Sequence, residues 1–282
     1  MPAYVYQDFC ITRKTEKKMA KNNPYLPMQV KIAKKEQMTD DTVLFTIKTK
    51  MNPAPGQFIQ MSLAGIGECP ISICSNNKNQ IELLLRKTGN VTKHIFGLKK
   101  GDYVGIRGPY GHGYPMDEMA GKEIIVIAGG TGIAPPKSVI EYINNNRNKY
   151  GKVRIYAGFR EPKEKLFACF LGQCSEMHEL CLTYDKAPKD SGCKTGFVTD
   201  VVDEAEINPE NTAAVICGPP VMMNFMVPIL RKKGFHESQI YLSYERHMKC
   251  GIGKCGHCSV SGKYVCKDGP VFRLDEAKNL VD

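Results

Sequence analysis

No stretch of this chain approaches the roughly 18 uncharged apolar residues that a helix needs to cross a bilayer, so no membrane insertion is expected. The opening residues, MPAYVYQDFC, lack the basic-then-apolar layout of a secretory leader, and a cytoplasmic location is expected. The sequence contains no HExxH, no P-loop and no Ser/His/Asp arrangement. Metalloprotease, Walker-type phosphoryl-transfer and serine-hydrolase chemistries therefore have no residues to rest on. The six histidines, His112 and His257 among them, show no ligand spacing. Internal repeats and low-complexity segments are absent as well.

What is present is an ordinary soluble composition with one unusual residue. Hydrophobic residues make up 42% and charged residues 24%, as in globular proteins. At 282 residues there is room for two domains and a small subdomain. The net charge of +10 is spread along the chain, with one local run at Arg13, Lys14, Lys17, Lys18 and Lys21. That run reads as a solvated arm or a docking arm for an acidic partner. The interleaved aromatics of a nucleic-acid binder are missing, and no nucleic acid is expected. The unusual residue is cysteine: twelve of them, without an export signal, point to a reducing compartment where thiols serve metals or cores.

Four of the twelve lie close together. Cys250, Cys255, Cys258 and Cys266 are spaced C-x4-C-x2-C-x7-C in the run CGIGKCGHCSVSGKYVC. The first three match the plant-type spacing that wraps a [2Fe–2S] cluster. Gly251, Gly253 and Gly256 sit between the ligands, where a tight loop needs positive φ and close backbone approach to sulfur. A structural zinc site is the alternative, although zinc usually shows two similar CxxC knuckles and here only Cys255 and Cys258 form one. His257 reads as a solvated loop residue or a hydrogen-bond donor to the cluster. Cys169, Cys174, Cys181 and Cys193 read as small hydrophobes in the core rather than as a second cluster.

The rest of the chain has two grammars. After an extension over 1–27, apolar-alternating segments at 30–33, 42–49, 57–63, 80–86 and 103–107 read as strands of a small antiparallel barrel, with a short helix at 92–98. A linker is expected at 118–121. Beyond it, strands at 123–128, 153–158, 180–184, 213–217 and 239–244 alternate with helices at 135–146, 165–171, 198–204 and 220–233. Continuous apolar strands alternating with helices mean a buried, doubly wound parallel sheet. The expected fold class is thus β plus α/β. It divides into a barrel at 28–117, a doubly wound domain at 118–238 and a small iron–sulfur subdomain with tail at 239–282.

Two loops carry ligand-binding character. In EIIVIAGGTGIAPP a buried strand runs into Gly129, Gly130, Thr131, Gly132 and Ile133, and Pro135 opens a helix. Glycines admit a pyrophosphate to the backbone, and the helix N-terminus offers N–H donors. The second loop, Cys217-Gly218-Pro219, follows another buried strand and so lies at the same carboxyl edge of the sheet, where ligands of open α/β sheets bind.

A barrel, then GGTGIAP, then CGPP: this order resembles the ferredoxin–NADP reductase superfamily over roughly residues 28–275. The string Cys69-Pro70-Ile71-Ser72-Ile73 is similar to the family's R-P-[IV]-S-[IV], and Arg86-Lys87-Thr88-Gly89-Asn90-Val91-Thr92 to its second flavin loop. The C-terminal CGIGKCGHC and YVCKDGPVF resemble the electron-transfer subunits of B-type dihydroorotate dehydrogenase, of anaerobic sulfite reductase and of nickel–iron hydrogenase (its gamma subunit). The resemblance implies FAD in the barrel, contacted by Cys69, Pro70, Ile71, Ser72, Leu85, Arg86, Gly89, Val91 and Thr92. It implies NAD(P)H at 129–135 and at Cys217, Gly218 and Pro219. It implies catalytic roles for Ser72 at the flavin edge, for Cys217 near the nicotinamide and for Glu245 as a nearby acid. One position departs from the family: Cys69 stands where an arginine meets the FAD phosphate, so Arg86 or the N–H groups around Val91 and Thr92 are expected to carry that charge.

The function implied is a diaphorase-type subunit. Electrons pass between NAD(P)H, FAD and a [2Fe–2S] cluster, and on to a catalytic subunit or a ferredoxin-like iron–sulfur subunit of a multi-subunit oxidoreductase such as a hydrogenase or sulfite reductase. A stand-alone NAD(P)H:ferredoxin reductase is the alternative. A zinc-stabilised nucleic-acid-binding protein fits the charge but leaves GGTGIAP and CGPP unexplained. Arg160 invites a 2′-phosphate and Glu161 beside it repels one, so the sequence leaves NADH and NADPH both open.

Overall fold

The structure, a computed structural model, describes residues 23–188 and 193–277; the basic run at Arg13 to Lys21 lies outside them. The first half is a six-stranded antiparallel sheet in the order β4-β3-β6-β1-β2-β5. Its strands are β1 (Met28–Thr39), β2 (Thr42–Lys48), β3 (Phe58–Leu63), β4 (Gly67–Ser72), β5 (Gln80–Arg86) and β6 (Tyr103–Tyr110). An antiparallel bridge between Ile73 and Leu83 ties the end of β4 to β5 and closes the sheet into a barrel. Period-two alternation sends Phe45, Ile59, Met61, Ile81, Leu83, Leu85 and Ile106 into the interior, where each is fully buried. A short helix, α1 (Asn90–Phe96), crosses one end.

The second half is a sheet in the order β14-β11-β10-β7-β8-β9. Strands β7 (Glu123–Gly129), β8 (Val153–Phe159), β9 (Glu179–Tyr184), β10 (Thr212–Cys217) and β11 (Ile240–Ser243) run parallel, and β14 (Val271–Arg273) is antiparallel at the edge. Helices α2 (Ala134–Asn145) and α3 (Ala168–Met177) cover one face, and α4 (Val198–Glu204) and α5 (Pro220–Lys232) cover the other. Alternate residues of β7 serve the two faces. Ile124 and Val126 meet α2, while Ile125 and Ile127 meet the side of α4 and α5. Chain order reverses between β7 and β10, which makes the gap between their carboxyl ends the topological switch point.

Between β11 and β14 the chain leaves the sheet to form the cysteine-bearing excursion. It holds a two-residue hairpin of β12 (Ser259–Val260) and β13 (Lys263–Tyr264), then a single turn, α6 (Val265–Asp268). The chain then returns to pair Leu242 with Phe272. Met248, Cys258, Val260, Val265, Cys266 and Phe272 pack there with Phe58 of the barrel.

One buried ion-pair group joins the halves. Lys137, on the first turn of α2, is 4% exposed. Its Nζ donates to Glu82 Oε2 on β5 at 2.8 Å, to Glu141 one helical turn on, and to the Cys74 carbonyl at 3.2 Å. The ammonium also lies over the rings of Phe167 (5.4 Å) and Phe170 (4.9 Å). Glu141 in turn accepts from the Asn76 N–H at 2.7 Å. Around this polar centre Leu44, Cys74 and Leu84 of the barrel side pack with Ala128, Ile133 and Ala134.

Several expected elements differ. Strand β1 is twelve residues long, because pairing with both β2 and β6 extends it past its apolar core. Strand β4 was hidden by its Gly and Pro, which an edge strand tolerates. Strand β14 has only three residues, too few for a periodicity. Helix α3 starts later than expected, after Phe167 in the left-handed region (φ 54°), and runs on to Met177. The expected linker at 118–121 is a packed turn anchored by fully buried Met119. Cys174 is buried as expected, but Cys169 is exposed, so core packing does not explain it.

Candidate functional site

The two glycine-containing loops meet at the switch point. Ala128 and Cys217 are paired neighbours at the ends of β7 and β10. A Cβ on Gly132 would lie 2.5 Å from the Cys217 carbonyl oxygen, and one on Gly218 would lie 3.1 Å from the Gly129 nitrogen. No side chain fits there, so the loops lock backbone to backbone. Gly130 is different: it is in the left-handed region (φ 55°) and a Cβ would meet nothing within 4 Å. It therefore faces open space. Gly130–Ile133 forms a 3-10 turn leading into α2, whose first turn carries Pro135. The helix begins at Ala134, one residue before the expected proline. This glycine-walled cleft at a helix N-terminus is the shape a dinucleotide pyrophosphate needs.

Of the residues assigned catalytic roles, Cys217 and Glu245 come together. Burial pushes the Cys217 thiol up to about 12, Glu245's charge adds to the push, and a hydrogen bond with Ser243 opposes it. Cys217 is thus a neutral thiol at physiological pH. The Glu245 carboxyl is pushed above its ordinary value by the chain packed around it, yet the residue is solvent-exposed at the rim, so water limits that push. Ser72 ends β4 on the barrel, half-buried, and its hydroxyl has no protein partner among the described residues. Two residues beyond it, Cys74 shares the interdomain core with Ile133 and Ala134, so the Ser72 end of β4 opens toward the nucleotide loop.

The expected flavin contacts are less uniform. Cys69 is half-buried against the barrel core, and its thiol is pushed up to about 12 by burial, with Glu68 adding to it. It carries no charge for a phosphate. The side chain of Leu85 is fully inside the barrel, leaving only its backbone for a ligand. Arg86 is exposed and tied to Asp41, with Nε to Oδ2 at 2.7 Å. Thr92 Oγ1 accepts from the Gly89 N–H at 2.8 Å and the Thr88 N–H at 3.1 Å, fixing the start of α1. Gly67 (φ 130°) lets β4 pass the Val91 side chain, which a Cβ would meet at 3.2 Å. Arg86→Ala is expected to lower flavin content severalfold as purified. Unchanged flavin absorbance per chain would remove Arg86 from phosphate binding.

The four cysteines converge in a loop built for sulfur. Gly251, Gly253 and Gly256 all have φ of 71–72°, as the loop requires. Cys250 Sγ accepts N–H groups from Ile252 (3.5 Å), Lys254 (3.3 Å) and Cys255 (3.4 Å); Cys266 Sγ accepts from Gly253 (3.1 Å) and Cys258 Sγ from Cys266 (3.4 Å). Burial alone would raise the Cys250 thiol, but these donors and the Cys255 side chain hold it at about 6. Burial and the bond shared with Cys258 push Cys266 up to about 12. Cys250 lies beside Cys255 and Cys266 beside Cys258, with Cys250 close enough for its charge to reach Cys266 as well. Among the described residues no three ligand side chains gather round a single ion. Four cysteine sulfurs in one loop, with N–H donors turned toward them, make up the ligand set that an iron–sulfur cluster takes. Cys250, Cys258 and Cys266 are buried, whereas Cys255 is exposed.

What sequence reasoning missed is the barrel's grip on this loop. Arg107 on β6 is 4% exposed and donates to the Cys250 carbonyl at 2.5 Å and the Lys249 carbonyl at 3.1 Å, while pairing with Glu68 on β4. The His112 N–H donates to the Gly269 carbonyl at 2.6 Å. A lone arginine in a strand gives no such signal in the sequence.

Barrel, switch-point cleft and four-cysteine loop together define a flavin- and nicotinamide-dependent iron–sulfur oxidoreductase. The comparisons agree domain by domain. The oxidoreductase FAD-binding domain family matches residues 29–114 and the oxidoreductase NAD-binding domain family residues 126–227. The iron–sulfur cluster binding domain of dihydroorotate dehydrogenase B matches residues 245–278. The chain is 41% identical over 272 residues to the sulfhydrogenase 1 subunit gamma of Pyrococcus furiosus, covering 90% of this chain and 93% of that one. It is 36% identical over 244 residues to a probable dihydroorotate dehydrogenase B electron transfer subunit of the same organism, covering 86% and 89%. In fold it is similar to a chain of the NADH-dependent reduced ferredoxin-NADP oxidoreductase, with a TM-score of 0.72 at 24% identity over 89% of this chain and 92% of that one. The chain belongs to the family of electron-transfer subunits that contains these sulfhydrogenase gamma and dihydroorotate dehydrogenase B proteins. It is an electron-transfer oxidoreductase with FAD-, NAD- and iron–sulfur-binding domains.

Proposed function

We propose that this chain moves electrons between a nicotinamide nucleotide and a catalytic partner subunit of a larger oxidoreductase, of the hydrogenase or sulfite reductase kind. The observation that carries the reading is the outward turn of the cysteine loop at Cys255, on a unit gripped by the flavin barrel. From Arg246 to Lys267 the chain has five Arg or Lys and no Asp or Glu. Lys249, Lys254 and Lys267 are exposed, and Lys267 packs over Gly253, two residues from Cys255. A partner with an acidic face around its own one-electron centre suits that collar. A stand-alone reductase feeding a free ferredoxin would use the same face, and co-purification with larger subunits separates the two.

In this reading residues 28–117 hold FAD, 118–238 the nucleotide and 239–282 the cluster, with β11 and β14 lent to the nucleotide sheet. Gly129, Gly130, Thr131, Gly132 and Pro135 receive the pyrophosphate, and Gly218 and Pro219 form the opposite wall. The buried, neutral Cys217 thiol walls the nicotinamide pocket without adding a charge. Glu245, at the rim, exchanges a proton with solvent. Ser72 offers its free hydroxyl to the flavin ring, beside Pro70 and Ile71. With Cys69 uncharged, Arg86 and the N–H groups of Asn90, Val91 and Thr92 at the start of α1 hold the phosphates. Bound FAD supplies the exchange between two-electron and one-electron transfer, which neither the nucleotide nor the cluster supplies. The twelve cysteines suit a cytoplasmic setting.

An anaerobic visible spectrum of the chain, titrated with NADH and separately with NADPH, tests the reading. Flavin bands and a broad iron–sulfur shoulder should bleach with one nucleotide at near-stoichiometric amounts. Flavin without iron would reduce the cysteine loop to a zinc clip. A colourless protein, free of iron, sulfide and flavin on analysis, would sink the redox reading.

A further inference from the structure

Gln60 is fully buried, and neither its Nε2 nor its Oε1 has a hydrogen-bond partner; no other described side chain has two such atoms. It lies mid-strand on β3, with Pro70 of β4 on one side and Arg107 of β6 on the other. Its neighbours Ile59 and Met61 point into the barrel core, so by strand alternation Gln60 points outward. It is buried because the cysteine loop covers it. A Cβ on Gly251 would lie 3.1 Å from Gln60 Cγ and 3.2 Å from Nε2, so the glycine lets the loop backbone rest directly on the amide. Arg107, bonded to Glu68 and to the Cys250 and Lys249 carbonyls, fixes the loop there.

A buried amide left unpaired costs about 1–3 kcal/mol for each group, and an apolar residue of similar size would avoid it. The protein groups nearby cannot relieve the Nε2 donor. The Arg107 guanidinium only donates, and no acceptor among the described residues bonds Nε2. Gly251 directly follows Cys250, whose Sγ gathers N–H donors from the same loop. We infer that Gln60 Nε2 donates a hydrogen bond to a sulfur of the cluster at its Cys250 edge, and so sets the cluster's reduction potential relative to the flavin. The donors to those sulfurs named above all come from the cysteine loop itself; Gln60 is the barrel's contribution. A hydrogen bond to cluster sulfur stabilises the more negative, reduced form. The inference rests on the reading of the four cysteines as cluster ligands.

The test is a potentiometric titration of the cluster, followed by electron paramagnetic resonance, on the full wild-type chain and on Gln60→Leu. The variant's cluster is expected at a more negative potential, with its reduction equilibrium weakened severalfold; tenfold corresponds to about 59 mV for one electron. The flavin potential and the iron and sulfide content should not move. An unchanged cluster potential at full iron and sulfide overturns the inference while leaving the cluster reading intact. Absence of iron and sulfide from the wild type overturns both. Should Gln60→Leu fail to assemble, wild-type protein made with glutamine labelled with 15N at the side-chain amide decides the matter. A pulsed-resonance coupling to the reduced cluster that changes with the label supports the bond, and an unchanged spectrum overturns it.

Discussion

Cys255→Ser is expected to strip iron and acid-labile sulfide from the chain while leaving its nicotinamide half-reaction in place. Cys255 is the exposed member of the four and belongs to no packed core. Its loss therefore removes a ligand without opening a cavity. Cys258 and Cys266, by contrast, are 2% and 1% exposed among Phe58, Val265 and Phe272, where a substitution would confound ligation with packing. Without the Cys255 thiol, the Cys250 sulfur keeps its backbone N–H donors from Ile252, Lys254 and residue 255 but loses its partner thiolate. Even changes behind the ligands commonly cost 10–100-fold in metal affinity, and a lost ligand should cost on the order of 10²-fold or more. Metal analysis and stopped-flow bleaching of the flavin by nucleotide check this. Flavin reduction should stay within a few-fold of wild type, while delivery to a one-electron protein acceptor falls at least as far as the iron content. Full iron retention would mean that Cys255 is not a ligand.

The second large effect belongs to Lys137→Ala. Removing the ammonium leaves Glu82 and Glu141 facing each other, with side chains only 21% and 24% exposed. Breaking a buried pair from one side costs about 3–5 kcal/mol, because an uncompensated charge remains. For a chain of this size that lowers the melting temperature by roughly 10 °C. The same group joins α2, which begins at the nucleotide loop, to β5 and to the segment after Ser72. Loosening it shifts the two cofactor sites relative to each other, and misplacement by about 1 Å can cost 10²-fold in a reacting pair. The hydride step should therefore slow by about 10–100-fold, with little change in nucleotide affinity. A lower melting temperature with an unchanged hydride rate would reduce Lys137 to a structural rivet.

Those two residues were not equally visible beforehand. Cys255 announces itself because four thiols at fixed spacing have few uses. The GGTGIAP and CGPP loops are legible for a similar reason: each follows a buried apolar strand, which fixes its edge of the sheet. Lys137 sits in a helix among apolar residues and looks like a surface lysine, since its carboxylate on β5 is 55 residues away. Arg107 and Gln60 are hidden in the same way. Both are outward-facing strand positions that become interior only when a loop 143 residues after Arg107, and further still from Gln60, folds over them. Strand β4 was masked by the glycine and proline that let it serve as the barrel's edge, and three-residue β14 offers no pattern at all. Local periodicity reports what each element does alone. These residues are defined by what comes to lie on top of them.

The cysteine excursion leaves the sheet after Ser243 and rejoins it at Val271, and these two residues sit opposite each other in the antiparallel pair. Its ends are thus held one strand spacing apart, about 4.8 Å, whether or not the loop between them is ordered. The entropy of closing that loop is spent once, when the sheet forms, and not again when iron arrives. Loading the metal then becomes the tightening of a tethered noose rather than the folding of a domain. A chain that has lost its iron keeps the scaffold on which to be refilled.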